Sequence, residues 1–158
     1  MPEAVEDGQS FLENALIKAR HAARLTARPA LADDSGLVVE ALSGAPGVRS
    51  ARYAGDDASD QDNCRKLLSE MAGQSNRKAA FVCVLSIAVP SGPALTYEAS
   101  CEGTILDAPR GSNGFGYDPV FYVAEHDCSA AQLSAERKNT LSHRAQALQQ
   151  LVRALQAQ

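Results

Sequence analysis

Apolar side chains at Phe11, Leu12, Ala15, Leu16, Ala19, Ala22 and Ala23 recur every three or four residues, a spacing that predicts an amphipathic helix running to about Ala27. Ser10 and Glu13 precede that run as an S-x-x-E capping box, and Lys18, Arg20, Arg24 and Arg28 fall on its polar side or near its end. Pro29 stops the helix. The pattern then changes to two short apolar runs, Ala30-Leu31-Ala32 and residues 37–42, on either side of Asp33-Asp34-Ser35-Gly36, which predicts two strands joined at a polar turn. After the loop Ser43-Gly44-Ala45-Pro46-Gly47, acids at residues 56–62 open a second helix carrying Cys64, Leu67, Leu68 and Met71, with Gly73 placed to end it. Residues 79–89 and 94–105 are β-rich and are separated by Pro90-Ser91-Gly92-Pro93, the signature of a long antiparallel hairpin. A glycine-rich loop over residues 110–119 leads into the short strand Val120-Phe121-Tyr122-Val123. Ser142 is placed to cap a last helix with Ala145, Leu148, Leu151, Val152 and Leu155 on one face. Helices at both ends around strands make the chain α/β or α+β.

The 158 residues are 45% hydrophobic and 22% charged, which suits a folded chain and excludes a disordered, collagenous or coiled-coil one. No repeat, low-complexity tract or linker interrupts them, so residues 1–158 read as a single domain. Fifteen Lys and Arg against 19 Asp and Glu give a net charge of -4. No overall basic field therefore attracts nucleic acid or an acidic membrane, and a polyanionic substrate needs locally placed cations. Apolar stretches such as 79–89 are too short to span a bilayer, and Met1-Pro2-Glu3 does not open a signal peptide, so the expected location is the cytoplasm. Cys64, Cys83, Cys101 and Cys128 form no C-x-x-C pair and lie at no zinc-ligand spacing from a histidine, and are expected as reduced, mostly buried thiols.

The tetrapeptide Asp33-Asp34-Ser35-Gly36 carries the most chemistry, because adjacent carboxylates at the end of an apolar strand cost desolvation energy unless a cation or hydrogen bonds hold them. One acid could order the loop while the other binds Mg²⁺ or takes a proton from water; the alternative is an Asx turn in which both satisfy backbone N–H groups. Glu6 and Asp7 add carboxylates ahead of the first helix, although acids there also answer the helix dipole, as do those at 56–62, which lack the glycine and terminal glutamate of an EF-hand. The loop Gly111-Ser112-Asn113-Gly114-Phe115-Gly116-Tyr117-Asp118-Pro119 has neither the glycine order of a dinucleotide-binding turn nor a G-x-x-x-x-G-K-[ST] sequence. Such a loop can approach a flat ligand while Phe115 or Tyr117 stacks on it, or its aromatics can return to the core. Lys138 and Ser142-His143-Arg144 supply further donors, the latter at a helix N-terminus. His21 and His126 fit no pattern, and no G-x-S-x-G elbow points to covalent catalysis.

Taken in order, Glu13-Asn14-Ala15 with Lys18-Ala19, Ala32-Asp33-Asp34-Ser35-Gly36-Leu37, Gly44-Ala45-Pro46-Gly47, Ser50-Ala51-Arg52-Tyr53, Gly114-Phe115-Gly116-Tyr117-Asp118-Pro119 and Ser142-His143-Arg144 resemble the inosine/xanthosine triphosphate pyrophosphatase family. The resemblance runs from about Glu6 to Leu155. It implies an α/β fold with a twisted mixed β-sheet flanked by helices, a homodimer, and Mg²⁺-dependent cleavage of purine nucleoside triphosphates (dITP, ITP, XTP) into monophosphate and pyrophosphate. It also implies roles: Asp34 as general base, Asp33 supporting it, Glu6 and Asp34 binding the metal, and Lys18 facing the triphosphate. Ser35 is implied as a substrate contact, Phe115, Gly116, Tyr117 and Asp118 as the base-binding loop, and Lys138, His143 and Arg144 as the rest of the nucleobase end. Donors from His143 and Arg144 would suit the six-carbonyl of hypoxanthine or xanthine, whereas the amino group of adenine leaves buried donors unpaired.

Two departures accompany the resemblance. Family members carry a strand, a Thr/Ser-Gly-Asn-x-x-Lys phosphate loop, a helix and a strand ahead of the position of Glu6, where this sequence has five residues, and Arg137 stands where an acid is usual before the lysine. The first implies weak or lost activity, and sets beside the enzyme a non-catalytic nucleotide-binding or dimerisation module of the same fold.

Overall fold

The computed structural model describes residues 2–141 and 143–157, and within them the side chains of all but Thr140, Leu141, His143 and Leu155. The expected cap Ser142 and the His143 side chain thus lie outside the described residues.

Helix α1 spans Phe11–Thr26. Ser10 Oγ accepts the Glu13 N–H at 3.1 Å, as the sequence leads one to expect, but the Glu13 carboxylate accepts from Gln9 N at 2.7 Å rather than from Ser10. Asn14, Ala15, Ala19 and Ala23 form its buried stripe, and left-handed Ala27 ends it just before Pro29.

The next element corrects the expectation of two strands and a turn. Ala30–Val39 is one strand, β1, which pairs without a slip against β2, Lys78–Ala88, from Ala30↔Ala88 to Val39↔Ala79. Asp33-Asp34-Ser35-Gly36 sits inside it, opposite Leu85, Val84, Cys83 and Val82, so the Asx-turn alternative falls. The stretch has turn composition but stays extended because the carboxylates find partners on helices packed above and below the strand, described below. Gly36 has its own reason: a Cβ there would lie 2.6 Å from both Gly47 O and Ser50 Oγ, where the 3-10 segment Gly47–Arg52 crosses the strand.

The hairpin is as expected, with β3 at Leu95–Ile105. Two short strands, β4 at Phe121–Val123 and β5 at Cys128–Ser129, complete a five-stranded sheet in the order β1-β2-β3-β4-β5. The α/β class stands. Within it, every described strand pair is antiparallel, so the sheet is antiparallel rather than mixed: each strand returns beside its predecessor with no crossover to set two in parallel.

Helices cover both faces. On one, Ala19 and Ala23 of α1 pack on Ala88, with Ala30 and Ala32 beside them; small side chains bring helix and sheet close. On the other, Ala147 of the last helix, α4 (His143–Gln156), packs on Cys83, Leu85 and Ala99. The buried stripe of α4 therefore runs through Ala147 and Leu151, whereas Leu148 and Val152, expected to face inward, are 40% and 48% exposed. A short helix not anticipated from sequence, α3 (Ala135–Leu141), precedes it, with Ser134 Oγ accepting the Arg137 N–H at 3.3 Å. The largest apolar cluster joins Leu37, Val39, Ile105, Val120 and Phe121 to Leu67 and Met71 of α2, Asp60–Met71. Cys64 and Cys83 are buried, Cys101 and Cys128 half-buried, and all four are free thiols. Among the described residues no helix is long and apolar enough to cross a membrane.

Candidate functional site

Strand alternation sends the two adjacent acids of β1 to opposite faces. Asp34 points toward α1, where Lys18 Nζ donates to its Oδ1 at 3.0 Å and lies 3.4 Å from Glu6 Oε2. Burial pushes the Asp34 carboxyl above its ordinary value, with Glu6 adding to the rise, and outweighs the opposing pull of Lys18 and, less, of the Asn14 side chain. Burial also pulls on the Lys18 ammonium, downward, but Asp34 and then Glu6 more than offset it, and its pKa is raised. The second oxygen of Asp34 is buried with no hydrogen-bond partner.

Asp33 points the other way. Its Oδ2 accepts from Arg144 Nε at 3.1 Å, from Arg144 Nη2 at 3.0 Å and from Ser35 Oγ at 3.1 Å. The structure thus ties Asp33 to Arg144 and Ser35, and Asp34 to Lys18 and Glu6.

Ser35 and Arg144 open onto a cleft of about 670 Å³, lined also by Gly36, Ser50, Phe81 and Cys101 and closed by the glycine-rich loop with Lys138. Within that loop the buried Asp118 carboxylate accepts the Phe115 N–H at 3.0 Å and pairs with Lys138, whose ammonium lies 4.3 Å from the centre of the Phe115 ring. The ring itself is 66% exposed. Gly114 is required beneath it, since its φ is +73° and a Cβ would run into Asp118 Oδ2. Tyr117 is different: buried in the core, it donates its hydroxyl proton to Ser50 O at 2.7 Å, so of the two aromatics only Phe115 presents a free face. The cleft thus gathers Ser35, Arg144, the loop residues and Lys138, while Glu6, Lys18 and Asp34 form a separate group on the α1 side of β1 and Asp33 stands between the two.

A model of the Ham1 family matches residues 1–154. The chain belongs to that family. It is 59% identical over 151 residues to a dITP/XTP pyrophosphatase of Desulfotalea psychrophila, covering 96% of this chain and 68% of that one. It is 61% identical over 153 residues to one of Syntrophobacter fumaroxidans, covering 97% and 66%. It thus spans about two thirds of the length of these relatives. Among solved structures it superimposes on a HAM1 protein from Coxiella burnetii with a TM-score of 0.96 at 48% identity, covering 99% of this chain and 82% of that one.

In this Ham1 chain the acid pair of Glu6 and Asp34 suits a hard divalent cation. Asp34 offers a buried oxygen with no other partner, and two carboxylates leave the remaining positions to phosphate oxygens and water, the usual economy of such an ion. No cluster of three or more metal-ligating side chains exists among the described residues, so substrate would have to complete the set.

Sequence reasoning placed the helix α2 but assigned it no part in the site. Its acids read there as helix-dipole partners only, and Asp62 does complete a capping box with Ser59. Asp60, however, accepts the Gly116 N–H at 2.9 Å, and Cys64 one turn later donates to Gly116 O at 3.4 Å. Asn63 accepts from Ala54 N at 2.8 Å and donates to Ala51 O at 3.0 Å. The visible signal was four polar or thiol groups on one short helix; their targets are 52 and 56 residues away for the loop, and closer for Asn63.

Proposed function

We propose that this chain is a nucleoside triphosphate pyrophosphatase that converts dITP, ITP and XTP to the monophosphate and pyrophosphate. The observation that carries the reading is the half-buried Asp34 carboxylate, paired with Lys18 beside Glu6 and one residue from Ser35 at the mouth of an aromatic-capped cleft. The names of its pyrophosphatase relatives support it.

In this reading the purine enters the cleft and stacks on Phe115, while the phosphates run past Ser35 and over the edge strand β1 toward Lys18. Asp34 takes a proton from water as the water oxygen bonds to the α-phosphorus, and the bond from that phosphorus to the bridging oxygen breaks to release pyrophosphate. Lys18 offsets phosphate charge and Asp33 holds Arg144 ready at the cleft. Mg²⁺, which Glu6 and Asp34 would hold, supplies charge neutralisation on the phosphates. Arg144, with His143 assigned by family resemblance, donates to the six-carbonyl of hypoxanthine or xanthine and rejects adenine by leaving those donors unpaired.

We further propose a homodimer in the cytoplasm. Leu31 and Leu95 flank Ile87 on one row of the sheet and are each about half exposed, and Leu148 and Val152 add apolar surface on α4, which supports self-association. Four free thiols suit a reducing compartment. Sedimentation at micromolar concentration checks the assembly.

Pyrophosphate release from dITP, XTP and ATP with Mg²⁺ tests the activity. Release from the first two above that of an Asp34→Asn control is expected, and none above it overturns the enzyme. Calorimetric binding of ITP without release would leave the nucleotide-binding module.

A further inference from the structure

The glycine-rich loop is held from two sides. From within, Asp118 grips the Phe115 N–H and Lys138. From outside, one helix holds both ends of a single residue: Asp60 Oδ2 accepts the Gly116 N–H at 2.9 Å and Cys64 Sγ donates to the Gly116 carbonyl at 3.4 Å. Asp60 and Cys64 are four apart on α2 and therefore share a face. Burial, with Asp60 and Asp118 nearby, pushes the Cys64 thiol up to about 11, so it remains a protonated donor. Asn63 on the same turn locks α2 to Ala51 and Ala54, beside the part of the cleft wall formed by Ser50 and Ala51. The N-terminal end of α2, Asp60 to Cys64, is thus a clasp between two walls of the cleft.

We propose that Asp60 is a positioning residue for the nucleobase: by fixing the Gly116 peptide it holds the turn that presents Phe115. Phe115 lies between two anchored peptide groups, its own N–H on Asp118 and that of Gly116 on Asp60. A loop ordered before binding does not have to be ordered by the ligand, so the clasp acts on affinity and leaves the bond-breaking step at Asp34 alone. The inference rests on the pyrophosphatase reading for its substrate and adds a residue outside the set that reading uses.

The test compares Asp60→Ala, Asp60→Asn and Asp62→Ala. Asp62 is a first-turn acid of the same helix that caps Ser59 and does not touch the loop, so its variant carries the loss of helix stabilisation alone. Asp60→Ala is expected to raise KM for dITP about tenfold, the scale of one charge-assisted hydrogen bond, with kcat nearly unchanged. Asp60→Asn keeps an acceptor oxygen and should restore most of the affinity, and Asp62→Ala should lower the melting temperature without moving KM. Amide hydrogen exchange over residues 111–118 should quicken in Asp60→Ala only. If the wild-type chain releases no pyrophosphate, calorimetric affinity for ITP replaces KM; weaker binding by Asp60→Ala then supports the clasp while the proposed activity fails. An unchanged KM or ITP affinity in Asp60→Ala overturns the inference, whatever the exchange shows.

Discussion

Asp33 and Asp34 are consecutive in β1 and are neutralised from opposite faces of the sheet, Asp33 by Arg144 of α4 and Asp34 by Lys18 of α1, each at 3.0 Å. The period of two along a strand thereby gives identical side chains different work. One orders a guanidinium at the cleft, and the other is a half-buried carboxylate whose second oxygen is buried without a hydrogen-bond partner.

Substitution of the two acids should separate those roles. Asp34→Asn is expected to lower kcat by about 10²–10⁴-fold, the usual worth of a general base, with a small effect on KM. Asp33→Asn weakens the hold on Arg144 and Ser35 and should act chiefly on KM. Steady-state kinetics with dITP reads both, and a kcat collapse in Asp33→Asn of the same size would refute the division.

The raised pKa of Asp34 sets the acid limb of the rate profile. The base works ionised, so kcat/KM should climb with pH as the Asp34 carboxyl, raised above its ordinary value by burial in the metal-free chain, loses its proton, and the climb should vanish in Asp34→Asn.

Stability carries the opposite sign for the same group. Between 3.8 and its folded pKa, Asp34 holds a proton in the native chain that the unfolded chain has lost, so stability falls as pH rises through that window. Lys18 contributes stability that is fully present below 10.5 and is lost as pH rises through its higher folded value. Urea midpoints measured from pH 9 to 12 should drop for the wild type, and Lys18→Met should remove the part of that drop due to this pair.

Phe115→Ala removes the exposed ring and should raise KM about tenfold or more, since stacking a base on an aromatic ring is worth about 1–3 kcal/mol. Lys138→Met leaves the buried Asp118 carboxylate without its cation and should both raise KM and lower the melting temperature.

Gly36→Ala forces a Cβ to within 2.6 Å of a backbone oxygen and of Ser50 Oγ, which also accepts the Leu37 N–H at 2.9 Å. A cost of about 1–3 kcal/mol is expected, visible as a lower melting temperature. An unshifted melting temperature would mean that the segment Gly47–Arg52 moves aside freely.

The sequence alone determined what depends on neighbours along the chain. Helix α1 with its Ser10 cap, helix α2, and the β2–β3 hairpin are set by periodicity and turn residues, and all three stand where the pattern puts them. The motif residues were also visible as a set. Tertiary structure decided what depends on partners far away. Asp33-Asp34-Ser35-Gly36 has the composition of a turn, and it is a strand because Lys18 and Arg144, 16 and 111 residues distant, supply the charges that let two acids lie in a sheet. The stripe of α4 passes through Ala147 and not Leu148 because the sheet surface at Cys83 and Ala99 receives a small side chain closely. Asp60 reads locally as an ordinary helix-start acid, and only folding carries Gly116 to it. A carboxylate has the same composition whatever it faces, and its role follows from which donor the fold brings within 3 Å.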